Sequence, residues 1–186
     1  MTTRLKVGII TASDRASRGE REDRSGLLLK VLLEEFLAEV IAYQVLPDQR
    51  EALKKALCHI ADRLGCDLIL TTGGTGLGVR DHTPEATRSV IEKEIPGISE
   101  ALRQASLKKT KFAMFSRMVA GIRGKTLIIN LPGSPEAVQD SFEILKPILT
   151  HAVELIRGTV TDCQEAKEEE WKGQLHTFSH SSHSHF

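Results

Sequence analysis

Short apolar runs that alternate with amphipathic segments are the feature that most constrains how this 186-residue chain can fold. Runs rich in β-branched residues at 5–11, 40–46 and 66–72 have the length of buried strands. Apolar residues at helical spacing follow the second run, as at Leu53 and Leu57. This alternation predicts an α/β fold, a three-layer domain in which helices flank a mostly parallel central sheet.

The same pattern predicts where most other elements begin and end. A first helix should end near Glu39 and a second at Gly65. Thr83 and Pro84 form a good N-cap and first-turn pair for a third helix, which Pro96 should stop. The remaining predicted elements are a helix over 98–107, strands over 119–122 and 126–130, and a final helix that Ser134 caps and Pro147 kinks.

Three loops rich in Gly, Ser and Pro follow predicted strands, at 13–26, 73–83 and 131–135. In parallel sheets the carboxyl ends of the strands meet at one edge, and ligands bind beyond that edge. We therefore expect these loops to converge and to form the functional site.

Charge and composition exclude several classes of function. Lys plus Arg number 25, as do Asp plus Glu, and aromatic residues make up 4%, which argues against a nucleic-acid binder that neutralises phosphates and stacks bases. No apolar run reaches the roughly 18–20 residues of a membrane span, and Asp14 and Arg15 come too early for a secretory signal. The odd set Cys58, Cys66 and Cys163, without CxxC spacing, suits reduced thiols. These features predict a cytoplasmic protein that acts on small molecules, with neither nucleic acid nor membrane as a partner.

The chain is expected to divide into a domain over 1–158 and a tail over 159–186. Hydrophobic periodicity stops at Thr159, and the tail carries two lysines against five acidic residues. Its low-complexity end includes four histidines, which are His176, His180, His183 and His185. Such residues could chelate a transition metal, but they lack a preorganised geometry, so a disordered, solvated tail is the favoured interpretation.

The segment 73–76, Gly-Gly-Thr-Gly, offers a cradle for an anion. Its glycines let backbone N–H groups point into a concave nest without interference from Cβ atoms, and the hydroxyl group of Thr72 adds a donor. The loop is not a Walker A motif, since no Gly-Lys-Ser/Thr follows, and Val79 occupies the place of the third glycine in a dinucleotide-binding GxGxxG. Phosphate binding is the favoured interpretation, and a tight strand-to-helix turn is the alternative.

Two acidic residues lie where they could act together with this loop. Asp81 follows it closely, and a carboxylate beside a bound phosphate needs a cation between the two, which suggests Mg²⁺. A helix cap or an ion pair with Arg80 would explain Asp81 equally well. Asp48 ends the second predicted strand and has capping-box spacing to Glu51, so the residues alone favour a cap that could still project toward a ligand.

Other polar residues near the loops are weaker candidates. Arg15 could close over phosphates, and so, less strongly, could the pair Ser116-Arg117. Ser13 and Ser134 lie in no GxSxG elbow, so covalent catalysis is not supported.

Several motifs occur in order over residues 4–158, namely SDR at 13–15, TTGGTG at 71–76, RDHTPEAT at 80–87 and LPGSP at 131–135. Together they resemble the molybdopterin-binding family of molybdenum-cofactor biosynthesis. The resemblance implies a three-layer α/β fold, a homotrimer, and Mg²⁺-dependent transfer of AMP from ATP to the terminal phosphate of molybdopterin, with release of pyrophosphate. It also implies a possible partner in the pathway, the enzyme that inserts molybdate into the product.

The resemblance also implies roles for individual residues of this chain. The family's two important carboxylates match Asp48 and Asp81, which would hold Mg²⁺ and orient ATP, and this moves the interpretation of Asp48 from cap toward catalysis. The glycine-rich segment would hold phosphate. The residues implied to line the phosphate, nucleotide and pterin site are Ser13, Asp14, Arg15, Gly73, Gly74, Thr75, Gly76, Ser116, Pro132, Gly133 and Ser134, in addition to Thr72 and Arg117, which the residues alone suggest.

Two alternatives stay open from the sequence. One is a carrier that binds molybdopterin without transferring AMP. The other is a MoaB-like or competence-damage-like protein of the same fold that processes nucleotides differently. Pyrophosphate release from ATP, Mg²⁺ and molybdopterin would distinguish an adenylyltransferase from a carrier.

Overall fold

The computed structural model describes residues 4–160, which form one six-stranded sheet with helices on both faces. The strands are β1 (Lys6–Ala12), β2 (Glu39–Leu46), β3 (Leu68–Thr72), β4 (Lys93–Glu94), β5 (Ala120–Arg123) and β6 (Thr126–Leu131). The helices are α1 (Asp14–Ser17), α2 (Arg24–Glu35), α3 (Arg50–Asp62), α4 (Thr83–Arg88), α5 (Pro96–Leu107) and α6 (Pro135–Arg157), with a 3₁₀ turn over Lys111–Phe115. None of these helices is long and apolar enough to cross a membrane. Most of the predicted tail, with Cys163 and the four histidines, lies outside the described residues.

The strand order is β2-β1-β3-β6-β5-β4. The first four strands in this order run parallel, and β5 and β4 add an antiparallel edge. Near their carboxyl ends, Thr11 pairs with Thr72, and Thr72 pairs with Leu131. The loops after the parallel strands therefore leave the sheet at one edge, and the predicted mostly parallel sheet is confirmed.

Two apolar clusters, one on each face of the sheet, make the three layers. On one face α2, α5 and α6 pack through side chains such as Leu29, Leu102 and Phe142. On the other face α3 and α4 pack through Leu57 and Ala86. The central strands are thus buried on both sides, which is why the sequence of β3 is apolar at successive positions instead of alternating. The predicted three-layer α/β class is confirmed.

The first long helix, α2, begins and ends earlier than the periodicity predicts. It begins within the predicted polar loop, because Asp23 caps it by accepting the Gly26 N–H at 2.9 Å. Its last residue is Glu35, since Leu37 adopts a φ of 59° and turns the chain back. Glu39, which was expected to end the helix, instead begins β2.

The helix predicted to last until Pro96 is also shorter than expected. α4 ends at Arg88, and its N-cap is His82, one residue earlier than predicted. The chain then returns to the sheet edge, where the N–H groups of Glu92 and Ile95 each donate to a β5 carbonyl at 2.7 Å. The short strand β4 forms between these two bonds, and Pro96 begins α5.

The final helix, α6, begins where predicted, with Ser134 Oγ accepting the Ala137 N–H at 3.3 Å. It continues past Pro147 to Arg157. Proline removes one backbone hydrogen bond from a helix interior. Because Pro147 lies on the exposed side of α6, water can satisfy the carbonyl that this leaves free.

A buried asparagine ties the sheet to α4. Asn130 in β6 is fully buried, and its Nδ2 donates to Thr71 Oγ1 at 3.0 Å and to Thr87 Oγ1 at 2.8 Å. Its Oδ1 accepts the Val119 N–H at 3.2 Å. One side chain therefore links β6, β3 and α4, the helix that follows the glycine-rich loop.

We predict that Asn130→Ala lowers the free energy of unfolding by about 2–4 kcal/mol. A buried polar group left without a partner costs about 1–3 kcal/mol, and this substitution removes the partner of the Val119 N–H and of the Thr71 and Thr87 hydroxyls. Urea unfolding followed by circular dichroism measures the loss. Gln139→Ala, at an exposed position of α6, is the control and should stay within about 0.5 kcal/mol of wild type. Equal effects of the two substitutions would contradict a structural role of this network.

Candidate active site

The glycine-rich loop follows β3 and is shaped by positions that only glycine fits. Gly73 and Gly74 have φ values of 88° and 61°, in the left-handed region that other residues rarely adopt. A Cβ atom on Gly73 would lie 2.4 Å from the Ala12 carbonyl oxygen. The loop therefore rests directly on the end of β1.

Neighbouring segments hold the loop and leave one set of its backbone groups open. Thr83, the first residue of α4, donates its N–H to the Gly74 carbonyl at 3.1 Å and its hydroxyl to the Gly73 carbonyl at 3.0 Å. The N–H groups of Gly74, Thr75 and Gly76 donate no hydrogen bond within residues 4–160. Three adjacent donors are thus available to an anion, as the nest interpretation requires.

The threonine hydroxyl expected to add a donor to this nest has another partner. Thr72 Oγ1 donates to the Pro132 carbonyl at 2.6 Å. A Cβ atom on Gly133 would lie 3.2 Å from the Gly73 Cα, so the loop after β6 packs against the glycine-rich loop. Thr72, Pro132 and Gly133 thus join two loops at the predicted edge, and the Thr72 hydroxyl supports the loop instead of pointing to a ligand.

Asp48 lies against the same loop and is almost completely buried, with 5% of its surface exposed. Its Oδ1 accepts the His82 N–H at 2.9 Å, and its Oδ2 occupies space next to Gly74, where a Cβ atom would be 2.1 Å away. The cap interpretation is wrong, because the N-cap of α3 is Gln49 and has no side-chain cap bond. Burial raises the pKa of Asp48, and the charges of Asp81 and Asp14 raise it further, although the bond from His82 opposes them.

Asp81 approaches the loop from its other end. Its Oδ2 accepts the Gly78 N–H at 2.7 Å and would lie 2.9 Å from a Cβ atom on either Gly76 or Gly78. The ion pair with Arg80 that the sequence left open does not form, since Arg80 Nη2 bonds Asp14 Oδ1 at 2.8 Å instead. The two carboxylates predicted to act together therefore flank one loop.

The donor chemistry of this pair fits a hard divalent cation. Mg²⁺ is usually bound by one or two carboxylates, with water and substrate phosphates as the other ligands. The Asp48 carboxylate is buried, forms no ion pair within the described range, and is repelled by the negative charge of Asp81. Residues 4–160 contain no group of three or more His, Cys, Asp and Glu side chains that could hold a metal by themselves. The fit is therefore to an ion that a substrate helps to bind.

A polar recess of about 180 Å³ opens on one side of the loop, next to α1 and the start of α2. Ser13 caps α1 by accepting the Ala16 N–H at 3.2 Å, and Asp14 lies in its first turn. The exposed Arg15 follows them and does not line the recess. The polar and charged residues that line the recess are Thr11, Ser13, Arg21, Glu22, Asp23, Arg24, Ser25 and Thr72. Thr11 Oγ1 is buried and lacks a hydrogen-bond partner in the described part of the chain.

An apolar recess of about 240 Å³ opens beside Thr75 and Gly76 of the loop. Ser116 Oγ is buried there without a hydrogen-bond partner among residues 4–160. The side chains of Phe112 and Phe115 lie at its rim and are exposed. Sequence reasoning missed these aromatic residues and Thr11. Two phenylalanines within the otherwise basic and polar segment 108–117, in a chain with few aromatic residues, could have signalled a ligand surface.

Arg117 occupies a different place from the one expected of a phosphate ligand. Its Nε donates to the Gly76 carbonyl at 2.7 Å, its Nη2 donates to the Asp81 carbonyl at 2.8 Å, and its Nη1 pairs with Glu85. The guanidinium group thus binds the protein's own loop. Ser134 Oγ accepts the Ala137 N–H as the N-cap of α6.

Comparison with known proteins gives one consistent family. Residues 8–151 match the model of a family described as "Probable molybdopterin binding domain". The chain is 42% identical over 163 residues to a molybdopterin adenylyltransferase of Helicobacter pylori, covering 87% of this chain and 93% of the relative. It is 39% identical over 144 residues to that of Escherichia coli K12, covering 76% and 74%. The crystal structure of the molybdopterin biosynthesis enzyme MoaB from Thermus thermophilus superposes with a TM-score of 0.78 at 50% identity, covering 83% and 97%.

The fold and the site together define a class of α/β protein. In this class a glycine-rich loop, flanked by two carboxylates, lies at the carboxyl edge of a parallel sheet. The match over most of the chain then gives the family. The chain belongs to the molybdopterin-binding family of molybdenum-cofactor biosynthesis, as its motifs predicted.

The raised pKa of Asp48 predicts that removing its charge stabilises the ligand-free protein. Because the folded state holds this proton more tightly than the unfolded state, the ionised carboxylate lowers stability at neutral pH. Asp48→Asn should therefore unfold at higher urea concentration than wild type at pH 7. The difference should shrink as the pH falls through the raised pKa toward the ordinary value of 3.8.

Asp62→Asn is the matched control for this measurement, because the hydrogen bond from Arg123 lowers the pKa of Asp62. Its charge therefore adds stability at neutral pH, and Asp62→Asn should lower stability at pH 7, with the loss vanishing in acid. A loss of stability at pH 7 in both variants would contradict the conclusion that the charge of Asp48 is uncompensated.

Proposed function

We propose that the protein is a molybdopterin adenylyltransferase, which transfers AMP from ATP to the terminal phosphate of molybdopterin. The observation that carries this proposal is the set of three unpaired N–H groups at 74–76 between the Asp48 and Asp81 carboxylates. A loop that can bind an anion, next to two carboxylates that can hold a cation, suits a reaction between two polyanionic substrates. The names of the Helicobacter pylori and Escherichia coli relatives support the same activity.

The proposed reaction needs positioning more than proton transfer. A phosphate oxygen of molybdopterin attacks the α-phosphorus of ATP, the new P–O–P bond forms, and the bond to the β-phosphate breaks to release pyrophosphate. The attacking group is already anionic, so no general base is required. What the site must supply is alignment of two mutually repelling substrates, which can lower a barrier by several kcal/mol.

The chain's own groups can divide this task. The free N–H groups of Gly74, Thr75 and Gly76 would bind a phosphate and stabilise the charge on its oxygens. Asp48 and Asp81 would hold Mg²⁺, which supplies charge neutralisation when it is bound. The polar recess next to Gly73 and the apolar recess next to Gly76 would give two substrates separate places. The unpaired hydroxyls of Thr11 and Ser116 would orient them.

Wider features of the proposal rest on the family resemblance. They are a homotrimeric assembly, a cytoplasmic location where ATP is supplied, and a downstream enzyme that inserts molybdate. We also propose that the catalytic domain ends near residue 158, because α6 ends at Arg157 and Gly158 closes it in a left-handed conformation.

We predict that Asp81→Asn abolishes pyrophosphate release from ATP, Mg²⁺ and molybdopterin while the protein stays folded, since Asn keeps the shape but not the charge. The rate should fall at least about a hundredfold. Asp62→Asn, far from the loop, should retain activity. Near-normal turnover by Asp81→Asn would remove the assigned role, whereas wild-type protein that binds molybdopterin without releasing pyrophosphate would be a carrier.

A pair of glycine substitutions tests whether the loop must leave room for Asp48. Gly74 and Gly65 both have left-handed φ values, 61° and 66°, but a Cβ atom meets Asp48 and Thr83 only at Gly74. Both Ala variants should lose about 1–2 kcal/mol of stability to backbone strain, and Gly74→Ala should lose more because its methyl group meets Asp48 and Thr83. Only Gly74→Ala should also abolish AMP transfer, because its methyl group displaces the carboxylate. Comparable activity of the two variants would contradict this requirement.

A further inference from the structure

One side chain joins the two ends of an exposed turn that carries Asp81. The turn 76–81 has Leu77 and Val79 exposed at its tip, to 65% and 93%. Within the turn a single backbone bond, from the Asp81 N–H to the Gly78 carbonyl at 2.9 Å, holds the chain. The turn therefore gains little from packing. Besides the ion pair of Arg80 with Asp14, it depends on contacts at its two ends.

Arg117 makes those contacts from outside the turn. Its Nε donates to the carbonyl of Gly76 at 2.7 Å and its Nη2 donates to the carbonyl of Asp81 at 2.8 Å. The Arg117 N–H also donates to the Thr75 carbonyl at 2.9 Å. The first and last residues of the turn are thus fastened to one guanidinium group, whose planar fork a lysine cannot reproduce.

Glu85 fixes the orientation of that guanidinium group. It lies in the first turn of α4, and its Oε1 pairs with Arg117 Nη1. Its Oε2 is buried and has no hydrogen-bond partner among residues 4–160, so the carboxylate is committed to this one pair. The pair also offsets the charge of Arg117 next to the loop.

We propose that Arg117 and Glu85 form a positioning pair that closes the turn 76–81 and so places the Asp81 carboxylate. When the turn is closed, Asp81 Oδ2 stays on the Gly78 N–H at 2.7 Å and faces Gly76. When it opens, the carboxylate leaves the glycine-rich loop. The catalytic consequence of this pair rests on the proposed function, but the ordering of the turn does not.

Hydrogen exchange tests the ordering without any substrate. In the full-length protein, the Gly78 amide should exchange at least about tenfold faster in Arg117→Lys and in Glu85→Gln, because each change removes a charged hydrogen bond. Amides of β3 should keep their wild-type rates. Lys30→Gln, which removes an exposed ion pair with Glu34 within α2, is the control and should leave Gly78 unchanged. Wild-type exchange at Gly78 in both pair variants would overturn the proposal.

Steady-state kinetics then tests the consequence. A misplaced Asp81 should lower kcat for AMP transfer by about tenfold to a hundredfold, with KM for molybdopterin within about twofold of wild type. The double variant should be no worse than Arg117→Lys, because both changes break one unit. A higher KM with unchanged exchange would make Arg117 a substrate ligand and overturn the pair. Wild-type protein without AMP transfer would refute the proposed function, while the exchange rates would still decide whether the pair orders the turn.

Discussion

A carboxylate buried without a cationic partner is the constraint on which the site depends. Asp48 is held in place by the His82 N–H and lies so close to the glycine-rich loop that a side chain at position 74 would occupy its space. Burial and nearby negative charge raise its pKa, so the ligand-free protein bears the cost of keeping it ionised at neutral pH. A folded structure tolerates such a residue when its charge is needed by a ligand.

Rigid and exposed parts of the molecule are arranged around this carboxylate in a definite way. The floor of the site is the buried sheet, and Asn130 couples it to α4 through Thr71 and Thr87. Above this floor, the turn with Asp81 is exposed and is fastened by Arg117. The core therefore fixes the position of Asp48, whereas a small number of polar bonds at the surface fix the position of Asp81.

The alternation of strands and helices was sufficient to predict the layers, the parallel sheet and the edge at which the loops meet. Parallel strands place their carboxyl ends side by side, so the approach of Asp48 to the loop at 73–76 follows from topology. The start of α2 and the strand β4 could not be predicted, because they depend on an Asp23 cap and on pairing with β5, which no local periodicity encodes. The same holds for Arg117, whose partners come from two distant segments.

The central claim is that Asp48 and Asp81 share one divalent ion at the glycine-rich loop when nucleotide is bound. Crystals grown with Mn²⁺ in place of Mg²⁺ and a non-hydrolysable ATP analogue test it most directly, because the anomalous signal of manganese locates the ion. The account predicts one peak at about 2.0–2.3 Å from oxygens of both carboxylates and of a phosphate. A peak that contacts neither carboxylate, with the nucleotide bound in the site, would contradict it.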